Sequence, residues 1–305
     1  IPGFRVFLSQ KEMLRLLVKH GFFFGGQTET IVPADKKIYA LRDATGTVES
    51  KPLIASSIMS KKLAESIDGL VLDIKVGNGA FIKSLSEAKE LAQLMIHIGN
   101  AMGVKISGIY SNMNEPLGQT IGNSLEAIEA FEILHGRGPE DLKKIIIELG
   151  GLMISSAGLC TTLEQGKNVI MQAIESKKGL EKMANIIQEQ GGNPEVLKNY
   201  SLMPTAKYTR NILAPHSGII TRIQCEKIGM LSVLLGAGRR TKEDTVDPTV
   251  GFTIHKKISD AVSSSEPIVT IHYNSEEYLD TISSELIQCF TIENKDSISR
   301  QKLIL

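Results

Sequence analysis

The run Leu70-Val71-Leu72-Asp73-Ile74-Lys75-Val76 constrains the fold more than any other stretch. It is mostly apolar, with polar residues only near its end. That pattern predicts a strand in a sheet covered on both faces, as in α/β proteins with parallel strands. Gly77-Asn78-Gly79-Ala80-Phe81 follows as a glycine turn. Asp73 and Lys75 are thereby placed at the carboxyl edge of a sheet, where open α/β sheets bind ligands. The turn is not a dinucleotide fingerprint, because the GxGxxG spacing fails and no helix opens within it.

The flanking segments extend this rhythm. Ser9 to Lys19 predicts a short helix opened by a Ser9–Glu12 capping box. Phe22-Phe23-Phe24 predicts a buried strand or its approach. Pro33 to Leu41 and Leu53 to Ser66 read as helices, the first with a proline suited to its first turn. Ser86 to Met102 is strongly amphipathic, Val104 to Tyr110 reads as a strand, and Asn123 to Leu134 as a helix. Strand, helix, strand, helix is a βαβ rhythm with right-handed crossovers. Helices over 142–157, 163–173 and 179–190 are expected to pack against the sheet. Beyond an irregular stretch ending at Pro204, short strand-like runs at 208–215, 218–224, 252–255 and 267–272 alternate with helices at 226–235 and 275–289. The expected fold class is therefore α/β, with a mixed, mostly parallel sheet over residues 1–204. An α+β domain with an antiparallel sheet follows over 205–305.

Composition removes several function classes. Formal net charge is zero, with 34 basic and 34 acidic residues, so no global field draws nucleic acid or an anionic membrane. No apolar run reaches the roughly 20 residues of a membrane helix. The three cysteines, Cys160, Cys225 and Cys289, fit neither a metal spacing nor a disulfide framework, which points to the cytoplasm. None of the six histidines forms an HxxxH or HExxH pair, so zinc is not indicated.

The chemistry-bearing stretch runs from Tyr39-Ala40-Leu41-Arg42-Asp43 to Ser57-Ile58-Met59-Ser60-Lys61-Lys62. If the second part is helical, Ser57 and Lys61 share a face. A hydroxyl and a cation then meet in one small volume, with amide groups at the helix start favouring an anion or a carbonyl oxygen. Arg42 offers a planar donor fork for an oxygen-rich ligand. Read from spacing alone, a helix cap followed by a solvated lysine pair is the simpler account. An α/β enzyme holding an oxygen-rich ligand with Arg42, Ser57, Lys61 and Lys75 is the sharper one, and a non-enzymatic binding domain is a third. Arg239-Arg240, after a glycine turn, suits either a phosphate or a solvated surface.

Several long motifs, in order, resemble the thymidine and pyrimidine-nucleoside phosphorylases. They are Gly26-Gln27-Thr28; Pro33-Ala34-Asp35-Lys36-Lys37-Ile38-Tyr39-Ala40-Leu41-Arg42-Asp43; Ser57 to Lys62; Leu72 to Phe81; Pro116-Leu117-Gly118; Leu202-Met203-Pro204-Thr205-Ala206; Gly236 to Arg240; and Ile271-His272. The resemblance implies phosphorolysis: inorganic phosphate attacks the anomeric carbon of a thymidine, uridine or deoxyuridine, releasing free base and a pentose 1-phosphate. It implies a base pocket of Tyr39, Arg42, Ser57 and Lys61, with Arg42 and Lys61 as the catalytic cations. It also implies no organic cofactor, a structural potassium ion on the backbone oxygens of Leu117 and Thr120 and the Glu129 carboxylate, and a homodimer in the complete protein.

Departures accompany the resemblance. The family's phosphate loop and helical N-terminal domain are expected upstream of Ile1, and the family favours alanine where this chain has Gly46. Three readings stay open: a shortened phosphorylase whose complete form is active, a nucleobase-binding or structural protein with little catalysis, and a phosphoribosyltransferase-like enzyme. Negligible phosphorolysis is expected of the chain by itself.

Overall fold

The computed structural model describes residues 1–26, 32–35, 38, 50–241, 244–295 and 297–305. The first helix, α1 (Gln10–His20), forms where its cap predicts. Ser9 Oγ accepts from the Glu12 amide at 3.3 Å, and the Glu12 carboxylate accepts from the Ser9 amide at 2.9 Å. Gly21, at φ 77°, ends it in the left-handed region.

The Phe22–Phe24 run is not a strand. At Phe24 a side chain takes the place of a ladder partner. Phe24 donates its amide to Gln190 Oε1 at 2.9 Å, and its carbonyl accepts from Gln190 Nε2 at 2.8 Å. The same Nε2 reaches the Arg5 carbonyl at 2.7 Å, so one fully buried amide stands in for a strand partner. Edge-on contacts of the Phe24 ring with Phe4 and Phe22 complete the packing.

α2 (Lys51–Ala64) leads into β1 (Gly69–Val76), α3 (Leu85–Ala101) and β2 (Lys105–Asn112). The strands pair in parallel from Gly69↔Lys105 to Val76↔Asn112, with α3 as the crossover. A Ser84–Glu87 capping box starts α3. Ala55, Met59, Ile74, Val76, Leu91 and Met95 form the core between the helices and the sheet.

Here the expectation of a mixed, mostly parallel sheet needs correcting. Among the described residues, parallel pairing is confined to β1 and β2, and every other ladder is antiparallel. The apolar period finds strands but cannot count their partners. Here the phenylalanine run stays irregular, and β3 (Thr120–Ile121) pairs with a distant strand.

α4 (Asn123–Leu134), α5 (Glu140–Ser156), α6 (Leu163–Glu175) and α7 (Lys178–Glu189) follow. α5 packs on β1 and β2, while α6 lies on α5. The crossing is tight because Gly166 faces Gly151. A Cβ on Gly166 would sit 2.4 Å from the Gly151 carbonyl oxygen.

Beyond Pro204 come β4 (Tyr208–Leu213), β5 (Gly218–Ile223), α8 (Cys225–Leu235), β6 (Gly251–Ile254), β7 (Ala261–Val262), β8 (Pro267–Tyr273), α9 (Leu279–Gln288) and β9 (Phe290–Glu293). They build two antiparallel sheets, ordered β3-β6-β8-β4 and β7-β5-β9, around a core that includes Ile220, Phe252, Ile268, Ile271 and Leu286. The α+β character expected of this half is what the structure holds. No helix among the described residues is long and apolar enough to cross a membrane.

Candidate active site

α2 carries the centre of the site. Pro52 sits in its first turn, where the missing amide costs nothing. Ala55, Ser57 and Met59 are buried by packing on α3 and the sheet. The four-residue spacing then does what helix geometry requires. Lys61 Nζ donates to Ser57 Oγ at 3.0 Å and to Asp35 Oδ2 at 2.6 Å. Ser57 and Asp35 are both buried, while Lys61 keeps part of its side chain in solvent.

The adjacent lysine behaves differently. Lys62 turns outward and pairs with Glu65 at 3.0 Å, both well exposed. The solvated reading therefore fits Lys62 and fails for Lys61. Asp35 is a site residue that helix spacing does not reveal. Its only sequence signal was membership of the Pro33–Lys37 motif, since its partner lies 26 positions away. Tyr39 and Arg42 lie outside the described residues.

Ile54 and Ile58, on the same helix as Ser57, line a cavity of 390 Å³. Its other walls include Ile74, Phe81, Met95 and Met113, and Asp73 and Lys75 stand at its polar end. Lys75 Nζ donates to Asp73 and, at 3.1 Å, to Ser111 Oγ, which in turn donates to Asp73. Ser111 is fully buried. β1 and β2 set this cluster directly, because Lys75 and Ser111 are register partners in the parallel pair. The carboxyl edge of the sheet thus bears the polar groups expected there.

A mostly apolar hollow beside a buried hydroxyl and a cation suits a flat ring with a polar edge. Gly79 lets the turn close over it: a Cβ there would lie 2.6 Å from the Cys225 Cβ. Asn78, at the tip, takes the Cys225 amide on Oδ1 at 2.7 Å and donates to the Ile223 carbonyl at 3.0 Å. The start of α8 thereby supports the cavity wall.

Thr120 and Glu129 meet at a second place, around the turn that follows Leu117. Gly118, at φ 71°, bends the chain so that the Gln119 amide donates to Glu129 Oε1 at 2.7 Å. Any side chain at Gly118 would strike that carboxylate, 2.1 Å from its nearer oxygen. Burial is the main cause that pushes the Glu129 carboxyl up from the ordinary carboxylate range. Thr120 Oγ1 is buried beside it without a hydrogen bond of acceptable geometry. A buried carboxylate and an orphaned oxygen at one turn are a donor set that fits a monovalent cation. Among the described residues there is no group of three or more His, Cys, Asp or Glu side chains that could hold a metal. A site built largely from main-chain oxygens does not need one.

The histidines take structural places. His255 Nε2 meets Thr270 Oγ1 at 2.7 Å, and His272 Nε2 meets Thr253 Oγ1 at 2.9 Å, so each pairs across strands with a threonine instead of with the other. Arg240 lies over the Tyr278 ring at 5.8 Å, on an exposed surface.

Comparison with known proteins shows the family of the chain. Residues 1–180 match the model described as glycosyl transferase family, a/b domain, and residues 219–293 match the pyrimidine nucleoside phosphorylase C-terminal domain. A pyrimidine-nucleoside phosphorylase of Staphylococcus haemolyticus is 45% identical over 282 residues, covering 92% of this chain and 65% of the relative. One from Staphylococcus epidermidis is 43% identical over 295 residues, covering 97% and 68%. One from Staphylococcus aureus is 44% identical over 282 residues, covering 92% and 65%. The chain thus spans about two thirds of the length of the curated relatives it matches. With both matched regions falling in order on the two halves of the fold, the chain belongs to the pyrimidine-nucleoside phosphorylase family.

Proposed function

We propose that the protein containing this chain catalyses reversible phosphorolysis of pyrimidine nucleosides, and that the chain supplies the base-holding side of the site. The observation that carries this reading is the Asp35–Lys61–Ser57 arrangement, built on the helix whose Ile54 and Ile58 line the apolar cavity. In the reaction an oxygen of inorganic phosphate forms a bond to the anomeric carbon as the bond from that carbon to the base nitrogen breaks. The electron pair passes to the base and spreads onto its carbonyl oxygens. Lys61 and Arg42 face that developing charge, Ser57 binds the ring's polar edge, and Tyr39 lines the pocket. A cation stabilises the departing base anion more than the neutral nucleoside, and that difference lowers the barrier. Asp35 holds the Lys61 ammonium in place. A proton returned to the base then gives free base and pentose 1-phosphate. No step of this chemistry calls for an organic cofactor.

Leu117, Thr120 and Glu129 would hold a potassium ion, which when bound would neutralise the buried carboxylate and fix the turn. The domain division at 204/205 falls between the two matched regions. A homodimer in the cytoplasm is the assembly and location we infer for the complete protein.

The test is uridine phosphorolysis by the complete protein and its Lys61→Ala variant. Loss of a charge-stabilising donor should lower turnover about 10²–10³-fold with the fold intact. Unchanged turnover would remove Lys61 from the mechanism.

A further inference from the structure

The segment Gln301–Leu305 returns from the α+β half to the free edge of β2. Asn112 donates its amide to the Leu303 carbonyl at 2.8 Å, and Leu305 donates to the Tyr110 carbonyl at 2.9 Å. Ser111 and Ile304 face each other as antiparallel partners between these bonds. A two-stranded sheet with an open edge is a weak unit, and this segment covers part of that edge with one antiparallel bridge.

The residues it grips lead directly to the cavity. Ser111, flanked by those two main-chain bonds on Tyr110 and Asn112, is the side chain that orients Lys75 and Asp73. Gln301 Oε1 accepts from Asn112 Nδ2 at 2.8 Å and from Asn114 Nδ2 at 3.0 Å. Asn114 in turn takes the Asn78 amide on its Oδ1 at 3.0 Å and the Asn78 Nδ2 on its carbonyl at 3.1 Å. Both walls of the cavity that end in polar groups, the Asp73–Lys75 edge and the 77–79 turn, are therefore one residue removed from this segment.

We propose that Gln301–Leu305 is a positioning clasp that fixes the geometry of the ligand cavity from outside it. It touches no substrate and acts through Ser111 and Asn114. Its effect on ligand affinity rests on the reading of the cavity as a nucleoside site, whereas its effect on the cavity wall does not.

Three variants test it: a chain ending at Arg300; Leu305→Pro, which removes the amide bonded to Tyr110; and Gln301→Ala, which leaves the main-chain pairing intact. Residue-resolved hydrogen exchange at Asn112 reports docking of the clasp. Exchange at Gly79, whose amide donates to the Met113 carbonyl at 2.9 Å, reports the cavity wall. Calorimetry with uridine reports affinity. The first two variants should speed exchange at both amides and weaken uridine binding about tenfold, with a cooperative thermal transition retained. Gln301→Ala should fall between them and the parent. The proposal is overturned if Asn112 exchanges equally fast in the parent and Leu305→Pro. It is also overturned if Asn112 loses protection while Gly79 exchange and uridine affinity stay as they were. A parent chain that binds no uridine, with Gly79 still accelerated in the variants, sustains the clasp and sinks the nucleoside reading alone.

Discussion

Lys61 and Lys62 are adjacent in sequence and opposite in role. Spacing relates Ser57 to Lys61 because residues four apart stack on a helix, so that half of the cluster was legible. The other half was not, since a contact across 26 residues leaves no local trace. Asp35→Asn removes the charge that holds the Lys61 ammonium while keeping the shape. It should weaken uracil binding about tenfold by calorimetry, because charge-assisted bonds are the stronger ones. Lys62→Ala should leave binding unchanged, and equal losses in the two variants would dissolve the distinction.

The cysteines make a second prediction at this scale. Burial pushes the Cys225 thiol up to about 12 and the Cys289 thiol up to about 11. At pH 8 only about one Cys225 in 10⁴ would be thiolate, so both buried thiols should be inert to a disulfide reagent in the folded chain. Cys160, partly exposed, should react alone. The sign follows from the raised values. The stability these thiols contribute is full below the unfolded value of 9.0 and is lost as pH rises towards 11–12. Two or three fast-reacting thiols at pH 8 would contradict the burial.

At the scale of elements, the parallel pair and its crossover helix follow from a near-continuous apolar run followed by an amphipathic one. The capping box read at Ser9 and Glu12 forms, and a second one, at Ser84 and Glu87, opens α3 one residue before the Ser86 start read from the sequence. What periodicity could not show is partnership. Three phenylalanines read as a strand, but the run is irregular and Gln190 takes the backbone of Phe24. Thr120–Ile121 is too short to carry a strand period of its own, and β6 recruits it. The turn after β1 is where local and tertiary demands meet. Its glycines look like ordinary turn residues, yet Gly79 is required by contact: a Cβ would lie 2.9 Å from the Met113 carbonyl oxygen and 2.6 Å from the Cys225 Cβ. Gly79→Ala should cost about 1–3 kcal/mol in urea denaturation and weaken ligand binding as the wall shifts. Gly103, with nothing near its side-chain direction but φ 75°, is the comparison. Gly103→Ala should cost stability through strain alone and leave binding untouched.

At the scale of the whole molecule, the α+β half grips the loop between β2 and β3. Lys257 is central, and sequence hid it, because in His255-Lys256-Lys257 both lysines look solvated. Lys256 is indeed at the surface, paired with Glu266 at 2.6 Å. Lys257 is buried, donating to the Pro116 carbonyl and, at 3.1 Å, to Asp141 Oδ2. The same carboxylate takes the Gly118 amide at 3.2 Å, and Ile258 donates to Glu115 at 2.7 Å. The turn that presents Leu117 is thus held from the other half of the fold by a buried ammonium. Lys257→Ala leaves the Pro116 carbonyl and Asp141 without their cation. Breaking a buried pair from one side is costly, and since amide donors still reach Asp141 the loss should be about 2–3 kcal/mol. Asp141→Asn alone should also destabilise the chain. The double variant should recover part of the summed loss, because each change then removes a charge that the other had stranded. Urea denaturation of the four proteins measures this directly. A coupling within about 0.5 kcal/mol of zero would mean that the loop is held by its strand pairing and not by the ion pair. If coupling is found, potassium should raise the thermal midpoint of the parent more than that of Lys257→Ala, since a loosened turn presents its oxygens less well.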